Sequence, residues 1–218
     1  TVAKVTDNTS GQTGTPGTTT KSDGSFTLTG LPSGSLFYLK VTKDTFVPSY
    51  VTYNSTSNYI DYSRPYPLFT QAQLNNMGIE SGKGMILGKV RDNHDPDLGP
   101  VEGVTISYTS SQGKTYRVMY NDGTNYVAGS ATYGNGSFAI FDVAEGDTVT
   151  VKATKACWNF SDRPYITHAN STVLSSMKGV HAESCGEETA IQNGFQTAVG
   201  FYNQKNEATV FKKSIFDS

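Results

Sequence analysis

The sequence lacks the features that mark nucleic-acid-binding, membrane-spanning and haem-carrying proteins. Only 17% of its 218 residues are charged, the net charge is -2, and no block of basic residues occurs. Nucleic acid and anionic membranes are poor partners for such a chain, because both attract clustered positive charge. No apolar run is long enough to cross a bilayer as a helix. The absence of a CxxCH motif excludes covalently attached haem.

Motifs for catalysis are missing as well. The sequence contains no nucleophile elbow, no H-E-x-x-H pair and no phosphate-binding loop. Its three histidines, His94, His168 and His181, are scattered along the chain. We therefore expect a non-catalytic protein without a cofactor.

Cysteine is scarce, since Cys157 and Cys185 are the only two, and neither belongs to a CxxC motif. A disulfide between them is the favoured interpretation and agrees with a secreted or surface protein. A buried free pair is one alternative. A metal site completed by His168 and His181 is another, although the spacing matches no standard zinc pattern.

An acidic loop offers a weak calcium candidate. Asp92, Asp95 and Asp97, together with Asn93, place hard oxygen ligands close together, as Ca²⁺ prefers. The glycine and the terminal glutamate of an EF-hand are missing, and Pro96 stiffens the loop. A solvated acidic loop is the alternative interpretation.

The chain is rich in turn-and-strand patterning. Ser22–Leu28 opens with an Asp-Gly turn and continues with alternating apolar and polar residues, the period of a half-buried strand. After a further turn containing proline and glycine, Phe37–Val41 predicts the next strand, with alternate apolar residues on one face.

This passage returns about 112 residues later without a gap. The corresponding segments are Gly24–Phe26 with Gly136–Phe138, Leu39–Lys43 with Val151–Lys155, and Phe46 with Trp158. Two copies of one β unit predict two domains.

Helix formers are scarce outside Gln71–Asn76. Thr70 as N-cap and Gly78 as a C-terminal stop predict a short helix within residues 67–78, packed between two sandwiches. A further strand-like segment, Ala208–Phe216, lies outside both copies.

Five segments of the second copy carry a family resemblance. They are Gly88–Asp92, Pro100–Val104, Gly134–Phe138, Val143–Gly146 and Val149–Ala153. Together they resemble the carboxypeptidase regulatory-like domain, a transthyretin-like or prealbumin-like seven-stranded β-sandwich, whereas the first copy matches only over Ser22–Lys43. The resemblance implies an all-β fold of two tandem transthyretin-like (Ig-like) sandwiches. It also implies a bacterial secreted or surface protein, where such modules occur as repeats.

The predicted organisation has four parts. Residues 1–67 form a first β-sandwich that lacks its first strand, and residues 68–83 form a linker with the short helix. Residues 84–193 form the second β-sandwich, and residues 194–218 form a C-terminal strand-forming tail. The sequence opens inside a strand-like segment, as a processed product or a fragment would. A sandwich without its first strand exposes unpaired backbone and an apolar groove.

These expectations favour an extracellular, non-catalytic structural subunit. The spare C-terminal strand would enter the open first sandwich of a neighbouring copy, and head-to-tail addition of this kind propagates as a fibre. The predicted assembly strand contains Val210, Phe211, Ile215 and Phe216. The tail could instead fold back on its own second domain, or residues preceding Thr1 could complete the first one.

The alternative function is a monomeric cell-surface adhesion or carbohydrate-binding module, with a carbohydrate or another surface protein as partner. Tyrosine rings stack on sugars, and five tyrosines are dense in the first copy: Tyr50, Tyr53, Tyr59, Tyr62 and Tyr66. A packed surface loop or a subunit contact also explains this density. Trp158 takes the place of Phe46 in the repeat, so we expect it in the core.

Overall fold

The computed structural model describes residues 4–7, 17–27, 36–54, 67–93 and 99–182. Most of these residues form β-strands. The first part of the chain contains β1 (Lys4–Asp7), β2 (Gly17–Thr19), β3 (Leu36–Thr42), β4 (Ser49–Asn54) and the helix α1 (Gln71–Asn76). The second part contains β5 (Gly84–Asp92), β6 (Thr105–Ser110), β7 (Arg117–Asn121), β8 (Tyr126–Val127), β9 (Ser137–Val143), β10 (Thr148–Thr154), β11 (Trp158–Phe160), β12 (Arg163–Ile166) and β13 (Thr172–His181). No helix in these ranges is long and apolar enough to span a membrane.

The described strands form two sheets. The larger has ten strands in the order β2-β1-β3-β4-β13-β5-β9-β7-β8, with β11 paired to β13, and the smaller has the order β12-β10-β6. Most neighbours are antiparallel. The exception is β13, which runs parallel to β5 over Thr172–Gly179 and to β4 over Thr172–Leu174.

The main core lies where these two sheets face each other. Alternate residues of β5, β9 and β13 meet alternate residues of β6, β10 and β12, as expected for strands buried on one face. The buried residues include Ile86, Val90, Ile106, Phe138, Ile140, Val149, Val151, Tyr165, Val173 and Met177. This arrangement confirms a β-sandwich for the second part of the chain; the transthyretin-like topology itself stays a prediction.

A second apolar cluster covers the other face of β5 and β9. Ala139 and Phe141 of β9 point away from the main core and pack with Leu74 of α1 and with Met85. Both faces of β9 are therefore buried, which explains why Phe138–Phe141 is a continuous apolar run.

The helix α1 begins and ends with the expected signals. Thr70 Oγ1 accepts a hydrogen bond from Gln73 N at 3.2 Å, and Gln73 Oε1 accepts one from Thr70 N at 2.8 Å, a capping box. Gly78, with φ 82°, follows the C-cap Met77. The predicted N-cap and glycine stop are confirmed, although the helix is shorter than residues 67–78. That it links two domains stays a prediction.

The internal repeat is visible in backbone geometry at an offset of 112 residues. Thr45 (φ 71°) corresponds to Cys157 (φ 65°), two non-glycine residues in the left-handed region. The hydrogen bond from Phe46 N to Lys43 O, 3.1 Å, is repeated from Trp158 N to Lys155 O, 3.2 Å. The lysine of each turn also lies over the aromatic ring, at 5.4 Å and 5.6 Å from the centroid.

Strand positions follow the same offset. β3 corresponds to β10 and β4 to β12, because Leu36 faces Asn54 as Thr148 faces Ile166. At a different offset, Lys4 faces Thr42 of β3 as Thr105 faces Thr154 of β10. The strand β1 therefore takes the place of β6. We refer to residues 4–54 as the first unit and to residues 84–182 as the second unit.

One predicted strand differs between the units. Ser137–Phe138 belongs to β9, but its counterpart Ser25–Phe26 is not in a strand, and neither is Thr27; Leu28 lies outside the described residues. The expectation of a strand from Ser25 is therefore wrong over residues 25–27. The physical reason lies in the partners: β9 is held between β5 and β7, and the described part of the first unit has no strand in the place of β5.

The two units are hydrogen-bonded through β4 and β13. The pairs are Ser49 with Thr172, Tyr50 with Val173 and Val51 with Leu174. The first unit thus continues the large sheet of the second, and the division into two separate domains stays a prediction.

Candidate assembly interface

The strand β5 lies inside the large sheet. It lies between β13, to which it is parallel, and β9, to which it is antiparallel. Gly88 faces Phe138 across the β5–β9 pair. A Cβ atom at Gly88 would lie 2.1 Å from Phe138 Cζ and 2.3 Å from Cε1, so the phenyl ring occupies the space that a side chain would need. A strand in this place therefore needs glycine opposite the phenylalanine.

The described part of the first unit contains the counterpart of Phe138 but no counterpart of β5. Phe26 corresponds to Phe138 in the repeat. Phe138 is fully buried, whereas Phe26 is only half-buried. Their turns are alike, since Ser25 N bonds to Asp23 Oδ1 and Ser137 N bonds to Asn135 Oδ1, both at 2.9 Å. Within the described ranges, the first unit thus keeps strands that match the small sheet of the second unit, and no strand that matches β5.

The chain itself covers another edge of the first unit. Ser49 Oγ and Thr172 Oγ1 are 2.6 Å apart at the β4–β13 contact, and Thr172 N donates to Pro48 O at 3.0 Å. Ser49 and Thr172 are both fully buried. The start of β4 is therefore closed by β13, and this edge is not the open one.

An aromatic stack lies beside this contact. The rings of Tyr50 and His168 are stacked with centroids 4.0 Å apart, and Lys40 Nζ lies 5.7 Å from the Tyr50 centroid. Burial lowers the pKa of His168, the positive charge of Lys40 lowers it further, and Glu145 acts weakly in the opposite direction. The neutral imidazole is therefore the form that fits between the two units.

The three-stranded sheet has two edges without a further strand among the described residues. On β12, Thr167 N donates to Asp147 O, so the backbone groups of every second residue point toward β10. The backbone groups of Pro164 and Ile166 therefore point outward. Proline lacks an N–H group, which weakens this edge as a template. On β6, the outward N–H of Ile106 donates to Tyr120 Oη at 3.0 Å. Each edge therefore offers one outward N–H group fewer to an added strand, at Pro164 on β12 and at Ile106 on β6.

A buried carboxylate holds the turn next to β6. Asp147 is fully buried and accepts hydrogen bonds from the hydroxyls of Ser110 and Tyr116 at 2.5 Å and of Ser111 at 2.7 Å. Burial raises the pKa of Asp147, but the hydrogen bonds outweigh it and hold the pKa below the ordinary value of 3.8. Sequence reasoning does not reveal this network, because an aspartate after Gly146 is typical of an ordinary turn.

The structure places only some of the predicted site residues. Tyr50 is buried, with 7% of its surface exposed, and packs in the main core. The side chains of Tyr53, Tyr59, Tyr62 and Tyr66 lie outside the described residues. Trp158 is half-buried and packs against the main core; its ring meets those of Phe160 and His181.

The remaining candidates lie partly or wholly outside the described residues. Asp92 is described, but Asp95 and Asp97 are not. Within the described ranges, no group of three or more His, Cys, Asp or Glu side chains could hold a metal ion. Cys185 and the predicted assembly strand with Val210, Phe211, Ile215 and Phe216 are also outside these ranges. These predictions stay predictions.

Comparison with known proteins gives distant likenesses. No family model matches the sequence, and no curated protein matches it. The shaft pilin SpaA from Lactobacillus rhamnosus GG is 13% identical, with 83% of this chain and 84% of that chain covered and a TM-score of 0.32. The group B streptococcus pilus 2b backbone protein is 15% identical, with 72% and 53% covered and a TM-score of 0.33.

A third solved structure is the Bacillus anthracis TIE protein. It is 14% identical, with 82% of this chain and 30% of that chain covered and a TM-score of 0.32. The chain thus spans less than a third of that protein. At these TM-scores the likeness carries no argument about function.

Proposed function

We propose that this protein is an extracellular, non-catalytic structural subunit that assembles with copies of itself by β-strand addition. The first unit receives a strand from the C-terminal tail of a neighbouring copy, residues 194–218. Because donor and acceptor lie at opposite ends of the chain, the contact is head-to-tail and propagates as a fibre.

The strand content of the described first unit is the observation that carries this proposal. Its strands β1, β3 and β4 pair as β6, β10 and β12 do in the second unit, and no described strand of the first unit matches β5. Phe26 is half-buried and the residues around it are not in a strand, whereas the same sequence pattern at Phe138 forms a fully buried strand beside β5. A sheet edge that no strand covers is the kind of surface to which an added strand binds.

A disulfide between Cys157 and Cys185 suits the same proposal, because it would fix the point at which the tail leaves the second unit. Ala182 N donates to Cys157 O at 2.8 Å. Cys185 follows Ala182 by three residues, and an extended chain of that length reaches up to about 10 Å. A disulfide needs Cα atoms only about 5–6 Å apart. A bond closing this loop would stabilise the fold by about 3–4 kcal/mol. Alkylation without reductant should therefore leave the mass of the protein unchanged.

The assembly is tested by light scattering and electron microscopy of the whole chain. We expect head-to-tail oligomers and fibres. A variant with residues 194–218 deleted should stay monomeric and keep the fluorescence of Trp158, the single tryptophan, as evidence that the second unit still folds. Adding the tail as a separate peptide should give a one-to-one complex with this variant.

A whole chain that stays monomeric at the highest concentration reached would contradict the proposal. Fibres that form equally well without the tail would also contradict it, because they would need a different contact.

A further inference from the structure

We propose that the second unit resists tension along the chain, and that β5 and β13 form the clamp that carries the tensile load. The term clamp here means a pair of strands whose hydrogen bonds are all strained together when the chain is pulled. This inference goes beyond the proposed function. It is tested on single molecules, so it does not depend on self-assembly.

The two strands of the clamp lie at the two ends of the second unit. β5 opens the unit and β13 closes it, and the two pair directly from Met85 with Thr172 to Asp92 with Gly179. A force applied to the chain before β5 and after β13 therefore reaches this pair before it reaches the described strands between them. Those strands are loaded only after β5 and β13 have separated.

The relative direction of the strands determines how the force acts on them. β5 and β13 are parallel, so the chain enters β5 at one end of the pair and leaves β13 at the opposite end. Tension pulls the two strands in opposite directions along their own axes, and they separate by sliding. Sliding strains all hydrogen bonds between the strands at the same time. In an antiparallel pair, the two points of force would lie at the same end, and the bonds would break one after another.

The hydrogen bonds of the clamp extend over the whole of β5. At one end, Met85 N donates to Ser171 O at 3.0 Å, and at the other end, Asn93 N donates to Gly179 O at 2.8 Å. Bonds between parallel strands are evenly spaced. The load is therefore shared along the full length of the pair.

Buried side chains shield these bonds from water on the core side. Ile86 and Val90 of β5 are fully buried, and Val173 and Met177 of β13 are 2% and 1% exposed. A hydrogen bond in such surroundings is electrostatically stronger than one in water. The bonds that carry the load are therefore costly to break.

Neighbouring residues hold both ends of the clamp. Where the chain enters, Asn170 Oδ1 accepts a hydrogen bond from Gly82 N at 2.7 Å, and Asn170 N donates to Lys83 O at 3.1 Å. Where the chain leaves, β11 pairs with the other side of β13. There the Phe160 ring fills the space beside Gly179, since a Cβ at Gly179 would lie 2.3 Å from Phe160 Cε1. These contacts oppose fraying, so the force acts on the strands in line.

Single-molecule force spectroscopy of the whole chain tests the clamp by changing only the direction of pulling. Azide-bearing residues in place of Ser81 and Ala182 attach the handles before β5 and after β13, and reductant keeps the backbone as the single path between them. The matched control moves the second handle to Ala169, next to the start of the pair, so that the same strands are peeled apart. At equal force, the peeled pair should open at least about tenfold faster, because its bonds break singly rather than two or more together.

The length released in the sliding direction identifies the event. Opening should release about 300–330 Å, from about 100 residues at about 3.3–3.6 Å each, less the roughly 33 Å that the folded pair spans. Both handle variants should keep the Trp158 fluorescence of the unmodified chain before they are pulled.

A single hydrogen bond of the clamp is tested by Asn93→Pro, with Asn93→Ala as its control. Proline lacks the N–H group that bonds to Gly179 O, whereas alanine keeps it. In the sliding direction, Asn93→Pro should shorten the lifetime at fixed force about fivefold relative to Asn93→Ala, as expected for the loss of one bond. In the peeling direction, the two variants should open at the same rate, because this bond lies at the far end and breaks last.

The outcomes separate a clamp from general stability. Equal lifetimes in the two pulling directions would overturn the inference, because β5 and β13 would then not share the load. Lifetimes shortened equally in both directions by Asn93→Pro would overturn it as well, since residue 93 would then stabilise the fold without belonging to the clamp. Neither result bears on self-assembly, which is measured on the unmodified chain without load.

Discussion

Replacing Gly88 by alanine should destabilise the second unit strongly. The new Cβ atom would lie 2.1, 2.3 and 2.7 Å from three atoms of the Phe138 ring. The ring is fully buried and packs on every side, so it cannot move away freely. Overpacking a core costs about 1–3 kcal/mol, and three contacts below 3 Å place Gly88→Ala at the upper end, about 3 kcal/mol. The smaller entropy of the unfolded alanine chain offsets less than about 1 kcal/mol of this.

Urea unfolding followed by Trp158 fluorescence measures the effect, because this tryptophan packs against the same core. With a slope of about 1.5–2 kcal/mol per molar urea, the midpoint should fall by about 1.5–2 M. Gly134→Ala is the matched control. Its Cβ would meet nothing nearer than Glu102 Oε2 at 3.9 Å, so the free energy of unfolding should change by less than about 0.5 kcal/mol.

The pairing of Gly88 with the Phe138 ring is isolated by a double-mutant cycle. Phe138→Leu removes the ring atoms that the new Cβ would meet, so the double variant should be more stable than the sum of the single effects by about 1–2 kcal/mol. If Gly88→Ala is as stable as Gly134→Ala, or if the two effects add, the ring does not fill the space at Gly88.

Two further predictions concern buried titratable groups. Asp147→Asn should cost about 2–3 kcal/mol, because an amide cannot accept all of the hydroxyl donors around Asp147. Since the folded pKa of Asp147 is below 3.8, its stabilisation is present above the unfolded pKa and is lost as the pH falls below about 4, so acid unfolding curves of the two proteins should converge at low pH. The lowered pKa of His168 predicts that the β4–β13 contact weakens as the pH falls below about 6.5, since the unfolded state then binds the proton more tightly. The protection factor of the Thr172 amide, which donates to Pro48 O across this contact, should be smaller at pH 5 than at pH 7 in the native protein, once corrected for the slower intrinsic exchange at low pH. It should be equal at the two pH values in His168→Phe, which keeps the ring stack without the titration.

Local patterns in the sequence were sufficient for several elements. The capping residues of α1 are visible because Thr70 and Gly78 act through bonds to their near neighbours. The repeat is visible because equivalent turns need the same residue types, as at Lys43 and Lys155. The alternation in β3 and β10 predicts which residues of each strand share a face. These features depend on residues close together in the sequence.

Features that depend on distant residues could not be predicted. The carboxylate of Asp147 finds its donors on β6 and on the loop after it, more than 30 residues away. The parallel contact of β4 with β13 joins residues more than 120 positions apart. The density of tyrosines makes Tyr50 a candidate ligand or interface residue, but its burial depends on His168 and the core of the second unit.

The contrast between Phe26 and Phe138 shows why the same residues can form a strand in one place and not in another. Both follow a glycine turn and a serine whose N–H is held by the side chain two residues earlier. The local hydrogen bonds are therefore the same at both positions, and the difference in structure arises from more distant parts of the chain. β9 has a neighbour on each side, which pairs its backbone groups and covers its rings. A strand is stable only with such partners, so the turn and the serine alone do not determine whether the residues after them form a strand.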